Sequence, residues 1–408
     1  MEQPAPYARI SNGFLVSQVF FGLATSLFDM YYALHLQQVG IGPAGVGQIF
    51  SVGFIVMAVV VLPLSAVTDR FGLEPSMVVS SVGFGLTMLV MPLFDGFAAQ
   101  LLLFAVNSVA AAMMLVSVNA VVGASIPDEQ RRLSLFRHGF VAFLAASAAG
   151  NLLGVGLAAF GEAATGDYRF ELLLSGALAL LIGAARAMMW QRGTVRSAPA
   201  GGTMRALRDA VRDHGARLGE LLLLAGLVGG AGVLAIRFVP LLVVNHLGLD
   251  EQWLGWVLVA DRVASVVGIF VLFPLMHRGG VFRVAGWGMC AALLFQGLGA
   301  AATGAALFLL WYLLRQGSHY AQMPVLDHTA NLLAPTGARA FVNGVQRMGI
   351  FVGSAVASLA YGALMDHGAY RTAIVLSGAL SFLAGLLYLR RARAERRVPV
   401  AVEQAVSR

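Results

Sequence analysis

The chain of 408 residues is 59% hydrophobic and only 12% charged, with a mean hydropathy of +0.80. That is too little charge to coat a soluble domain of this length, so the composition excludes a soluble globular protein. The net charge of +7 is spread over short loops without interleaved aromatics, which argues against nucleic-acid binding, and Cys290, the only cysteine, leaves no internal disulfide.

Apolar runs of about 20 residues, the length that crosses a bilayer, recur along the chain. They predict spans over 14–38, 46–68, 76–94, 98–125, 133–160, 168–190, 219–246, 252–276, 282–302, 305–333, 338–365 and 370–391. The first run lacks a small-x-small cleavage site and is read as a mature helix rather than a signal peptide. Segments after even-numbered runs carry Arg70, Arg131, Arg132, Arg278, Arg283, Arg339 and the arginine-rich tail. Those after odd-numbered runs carry mainly Asp95, Glu162, Asp167, Asp250, Glu251 and Asp366, with Arg169 and Arg371 as exceptions. By the positive-inside rule, both termini are expected in the cytoplasm of a cell with the chain in its inner membrane.

The first run holds Asp29 within "ATSLFDMYYALHL". A charge at membrane depth costs about 2.5–3.5 kcal/mol on insertion scales, so it is expected to face a cavity or a partner. Sliding the chain on itself by 208 residues brings Gly40 onto Gly248, Arg70 onto Arg278, Gly72 onto Gly280, Pro127 onto Pro335 and Arg131 onto Arg339. Matched Gly, Pro and Arg at equivalent helix ends indicate two repeated six-helix halves. The expected units are residues 1–191, a linker 192–217, a second half 218–394 and a tail 395–408. In the linker, Met204, Leu207, Val211 and Leu218 recur at helical spacing, fitting either a cationic helix on the inner leaflet or a solvated connector. The same offset makes Arg237 the mate of Asp29, at equal depth across a central cavity. Asp29 is the expected proton-coupling residue, with Arg237 as its counter-charge; a fixed ion pair holding the halves together is the alternative.

The loop after the second run reads "SAVTDRFG", Ser65 to Gly72. It resembles the G-x-x-x-D-R-x-G-R-R signature of the major facilitator superfamily, with Ser65 at the first glycine position and Leu73, Glu74 and Pro75 in place of the basic residues. The resemblance implies an all-α integral membrane protein with twelve transmembrane helices in two pseudo-symmetric halves, the major facilitator fold. It also implies that Asp69, Arg70 and Gly72 belong to a cytoplasmic gate, with Asp69 meeting the start of helix 11. In the fifth run, "ASAAGNLLGVG" with Gly150, Gly154 and Gly156 resembles a degraded glycine-rich motif of proton-coupled exporters. Small residues four apart, Ala146, Gly150 and Gly154, equally let two membrane helices pack closely. Gly349 and Gly353 repeat the pattern in run 11 and favour packing.

Among the remaining polar residues, Tyr32 is expected to line the substrate cavity, with Tyr31 and Gln37 as further candidates. Asp261 and Arg262 lie in mid-helix and diverge by about 100°, so at least one needs a partner on another helix. In run 10, Arg315 and His319 stand four apart on one face, while Asn107 occupies the position equivalent to Arg315 in run 4. The substrate-cavity set is therefore Tyr32, Arg237, Asp261, Arg262, Arg315 and His319. Arg137 and Arg347 start helices 5 and 11 and are gate candidates, or snorkelling arginines. Trp253 and Trp256 fit an interfacial aromatic belt.

There is no G-x-x-x-x-G-K, H-E-x-x-H or G-x-S-x-G motif, and the eight histidines form no metal-ligand pattern. The sequence thus predicts no enzyme, no cofactor and no metal. It predicts a monomeric secondary active transporter whose partners are a small-molecule substrate, protons and the lipid bilayer. Proton-coupled export of a drug-like or natural metabolite, an antiport, is the leading expectation. Proton-coupled uptake of a nutrient, or a non-transporting receptor or assembly factor, are the alternatives.

Overall fold

The computed structural model describes residues 5–126, 128–161, 167–190, 203–320, 322–333 and 339–397. The first half comprises α1 (Ala5–Gln38), α2 (Pro43–Phe71), α3 (Leu73–Val90), α4 (Phe97–Ser125), α5 (Glu129–Gly161) and α6 (Arg169–Ala187). The second comprises α7 (Thr203–Val233, continued to His246), α8 (Glu251–Gly279), α9 (Val281–Ala301), α10 (Ala305–Tyr320, resumed as Gln322–Leu333), α11 (Arg339–Asp366) and α12 (Tyr370–Arg397). No strand occurs among the described residues, as a bilayer demands: only helices or closed barrels satisfy every backbone group there. Eleven helices among the described residues are long and apolar enough to cross a membrane. The tenth run, carrying Arg315, His319 and Asp327, is not counted among them because residue 321 lies outside the described residues.

The halves repeat in packing as well as in sequence. Within the first, α1 packs on α5 and α6, α3 on α6, and α4 on α2 and α3. Within the second, α7 packs on α11 and α12, α9 on α12, and α10 on α8 and α9. The halves meet through α2 against α11 and α5 against α8, pairs that exchange under the 208-residue repeat. Glycines punctuate both copies in the same conformation. Gly72 (φ 94°) and Gly280 (φ 88°) join α2 to α3 and α8 to α9, a left-handed geometry that side chains resist.

Large apolar side chains cover the outer surface, Phe270 being 75% and Val59 66% exposed, as expected where lipid tails are the solvent. Close approach of small residues then holds the helices together. A Cβ on Gly150 or Gly154 would strike Ser26, Leu23 or Met30 of α1, whereas Gly156 faces open space. One on Gly349 or Gly353 would strike Leu222, Ala225 or Gly226 of α7. The glycine-rich stretch of α5 is thus a helix-packing surface mirrored in α11.

Two sequence features resolve differently from their first reading. The seventh helix starts at Thr203 rather than 219, so residues 203–217 continue into it, while residues 192–202 lie outside the described residues. Leu218 is buried in the core of the second half. Arg169, an exception to the charge pattern, pairs with Asp95 at 2.8 Å and with Asp167 at 3.4 Å, so its charge is matched by acids at its own end of the bundle.

Candidate functional site at the interface of the halves

The local geometry of α7 positions the centre of the site. Around Pro240, which has no N–H to donate, the helix widens into two π turns, Leu234–Phe238 and Leu242–His246. Such turns within helices are frequent at functional positions. Arg237 sits in the first and donates from Nη1 to Asp29 Oδ1 of α1, with its guanidinium 5.5 Å from the centroid of the Phe50 ring. The side chains of Asp29 and Arg237 are 15% and 23% exposed. Asp29 lies nine residues before the end of α1, roughly 14 Å along the axis at 1.5 Å per residue, which is membrane depth.

Three more polar contacts cross between the halves among the described residues. Asn245 donates to Gln37 at 3.0 Å, Tyr168 to Glu251 at 2.7 Å, and the Ala44 backbone to Asp366 at 3.4 Å. Gln37 and Asn245 are also 208 residues apart. All three sit at the end of the bundle that carries the acidic loops.

A second, denser group lies inside the C-terminal half. Asp261 Oδ1 accepts from Tyr312 at 3.0 Å and from Gln316, and Arg262 reaches back to the other oxygen at 3.6 Å. Both adjacent residues therefore find partners on α10, since Arg262 also donates to Tyr320 at 2.9 Å. Arg262 and Tyr320 act on Asp29 through their field rather than by contact. Arg315, fully buried, donates to Gln316, to the Ala231 carbonyl and to Ser377 at 3.3 Å. His319 is 2% exposed against Gly232, with neither ring nitrogen hydrogen-bonded.

Among the described residues, the remaining expected site residues make no hydrogen bond to either group, although the Tyr32 ring lies 6.1 Å from that of Phe50, which sits under Arg237. Tyr32 is buried in the N-terminal half, donating to Gln100 at 3.0 Å and stacked on Phe28 and Phe104. Arg347 lies 3.7 Å from Asp327 with both side chains half exposed, and Gln346 donates to Asp327 at 2.7 Å. Arg137 is exposed near the start of α5. Gly72 makes the α2–α3 turn, while the side chains of Asp69 and Arg70 lie outside the described residues. Reasoning from sequence missed Tyr312, Gln316, Tyr320 and Ser377. The first three recur every fourth residue, and that spacing on one helix face was the available signal.

A two-fold repeated helical bundle, with paired charges at membrane depth across its halves, defines a multi-pass membrane transporter rather than an enzyme. The chain belongs to the Major Facilitator Superfamily, whose family model matches residues 14–250 and 221–407. Solved structures share the fold at low identity. The nucleoside transporter NupG superimposes with a TM-score of 0.72 at 13% identity, covering 95% of this chain and 99% of that one. The D-xylose-proton symporter gives 0.74 at 12% identity, covering 94% and 97%. A bacterial homolog of the human lysosomal transporter Spinster, inward-facing and occupied, gives 0.74 at 14% identity, covering 98% and 100%. A comparison with curated proteins yields no match.

Proposed function

We propose that this protein is a proton-coupled secondary transporter that moves a small solute by rocking its two halves about a site at the bilayer midplane. The observation that carries the reading is the Asp29–Arg237 pair. It joins the two halves at membrane depth, and a proton on Asp29 removes one of its two charges. A single protonation event therefore weakens a contact that must break and reform in each alternating-access cycle. With the arginine loops in the cytoplasm, the polar contacts between halves close the outer face of an inner-membrane protein, and the gate residues Asp69, Arg70, Gly72, Arg137 and Arg347 lie toward the cytoplasm.

Export of a drug-like or natural metabolite is one direction of transport. Its residue-level support was the glycine-rich stretch of α5, in which Gly150 and Gly154 are accounted for by contact with α1. Proton-coupled uptake is the second direction, and the ion pair favours it. Protonation of Asp29 releases Arg237, a free cation at the site just when the proton is bound.

Small-molecule profiling inside and outside cells tests the reading, comparing a deletion strain with strains restored by the normal chain or by Asp29→Asn. A compound that fails to cross without the chain, and crosses only with the normal form, is the expected result; the side on which it accumulates gives the direction. A phenotype that Asp29→Asn restores fully overturns the coupling role and favours a receptor.

A further inference from the structure

We infer that the site takes a small organic monoanion, with a carboxylate as the recognised group, and that this anion binds together with a proton. The inference rests on the transporter reading and adds the chemistry of the solute. Five charged side chains make up the two groups: the carboxylates of Asp29 and Asp261 and the guanidiniums of Arg237, Arg262 and Arg315. One positive charge is in excess. A buried charge without compensation is strongly unfavourable, and here no protein carboxylate supplies the missing anion.

The hydrogen-bond inventory points the same way. Arg237 Nε, Arg262 Nε and Arg315 Nε are all buried without an acceptor, as are both ring nitrogens of His319. The carboxylates are partnered through Asp29 Oδ1 and Asp261 Oδ1. The guanidiniums of the site therefore hold spare buried N–H donors. A cationic or purely donor solute would leave those donors and the excess charge in place, whereas a carboxylate accepts two parallel N–H bonds from one guanidinium and offsets one positive charge. Arg237 and Arg262 are the partly exposed members, at 23% and 11% of their side-chain surface, and so are the ones a solute can reach. Arg315 sits behind them at full burial and contributes its field.

Coupling follows from competition. The solute carboxylate and the Asp29 carboxylate are rivals for Arg237. A proton taken from water by Asp29 neutralises the rival and adds one positive charge, which the bound anion offsets, so by linkage each ligand raises the affinity of the other by the same factor. Arg237 from α7 contacts Asp29, while Arg262 from α8 and Tyr320 from α10 act on it through their field; the second carboxylate, Asp261, is held by Tyr312, Gln316 and Arg262. Proton and anion consequently cross in the same direction, a symport rather than the exchange expected from sequence.

The test uses the purified full chain in detergent and a library of small carboxylic acids, each beside its neutral amide and its amine analogue, with the unfolding midpoint as the readout. The expected result is stabilisation by at least one carboxylate and not by its amide or amine, stronger as the pH is lowered. Arg237→Gln or Arg262→Gln, each removing a charged hydrogen-bond donor, weakens that binding roughly tenfold to a hundredfold. Asp29→Asn, which mimics the protonated acid, keeps or tightens the binding and removes its pH dependence. Stabilisation by amides or amines alone, by no member of the carboxylate set, or loss of carboxylate binding in Asp29→Asn overturns the proposal. In each of those cases the transporter reading stands or falls separately, on the Asp29-dependent movement of solute in cells.

Discussion

The two halves share a backbone plan and differ in what they place at its centre. Gly53 of α2 and Asp261 of α8 are 208 residues apart, as are Phe104 and Tyr312, and Ser108 and Gln316. In the N-terminal half, a Cβ on Gly53 would strike the Phe104 ring and Ser108. In the C-terminal half, the carboxylate grown from the equivalent position is bonded by Tyr312 and Gln316. One three-residue contact is thus built twice, once from an apolar ring against bare backbone and once from an acid and its donors. The same substitution of chemistry continues at Asn107 and Arg315 and at Ala111 and His319. Pseudo-symmetry is carried by glycines and helix ends. At these matched positions the charged side chains lie in the C-terminal half, while the N-terminal half carries Gly53, Asn107 and Ala111.

The comparison breaks hardest at Asp261. Asp261→Ala leaves Arg262 and Arg315 buried without their nearest carboxylate, and breaking a buried pair costs about 3–5 kcal/mol. Denaturant unfolding in detergent should register that loss, and an unchanged midpoint would mean the charges are solvated rather than paired. At the equivalent place in the other half, Gly53→Ala is expected to destabilise through overpacking, by about 1–3 kcal/mol. Its partner Phe104 is an apolar ring, so shortening it in Phe104→Leu should relieve part of the effect. No apolar shortening of Tyr312 should rescue Asp261→Ala.

Between the halves, Asp29→Asn and Arg237→Gln are each expected to abolish coupled transport, and their effects should be non-additive. A double-mutant cycle should return an interaction of about 0.5–3 kcal/mol, the range of contacting charged residues. Additive effects would separate the two residues functionally despite their contact.

Much of this was legible in sequence because the signals are one-dimensional. Hydropathy fixes the spans, Gly72 and Gly280 mark the helix joints, and the 208-residue offset alone brings Asp29 to Arg237. The interior of the C-terminal half was less legible. Asp261 and Arg262 are visible as misplaced charges, yet their partners Tyr312, Gln316 and Tyr320 depend on how α10 is rotated against α8. That rotation is set by side-chain packing of small residues, such as Gly317 against Gly268, rather than by any periodicity. The π turns of α7 were likewise silent. Pro240 announces a disturbance, but whether a helix kinks, breaks or widens there is decided by the helices around it.

The smallest effect expected is the most selective. Gln37 and Asn245 are the second pair at the 208-residue offset to bond across the halves, and they lie closer to the acidic-loop end than Asp29 and Arg237. A neutral hydrogen bond of this kind contributes about 0.5–1.5 kcal/mol, so Asn245→Ala should scarcely change the unfolding midpoint of either half. The bond nevertheless exists only while that end is closed, and its whole contribution falls on the balance between closed and open forms. Removing it should shift that balance roughly twofold to tenfold toward opening, measurable as a longer distance between spin labels on the α1–α2 and α7–α8 loops. The Asp29→Asn form should shift further in the same direction, because it loses a charged contact at greater depth. Equal distances in the two variants would place the hinge of the closure outside both pairs, and the symmetry of the repeat would then describe the fold without describing its motion.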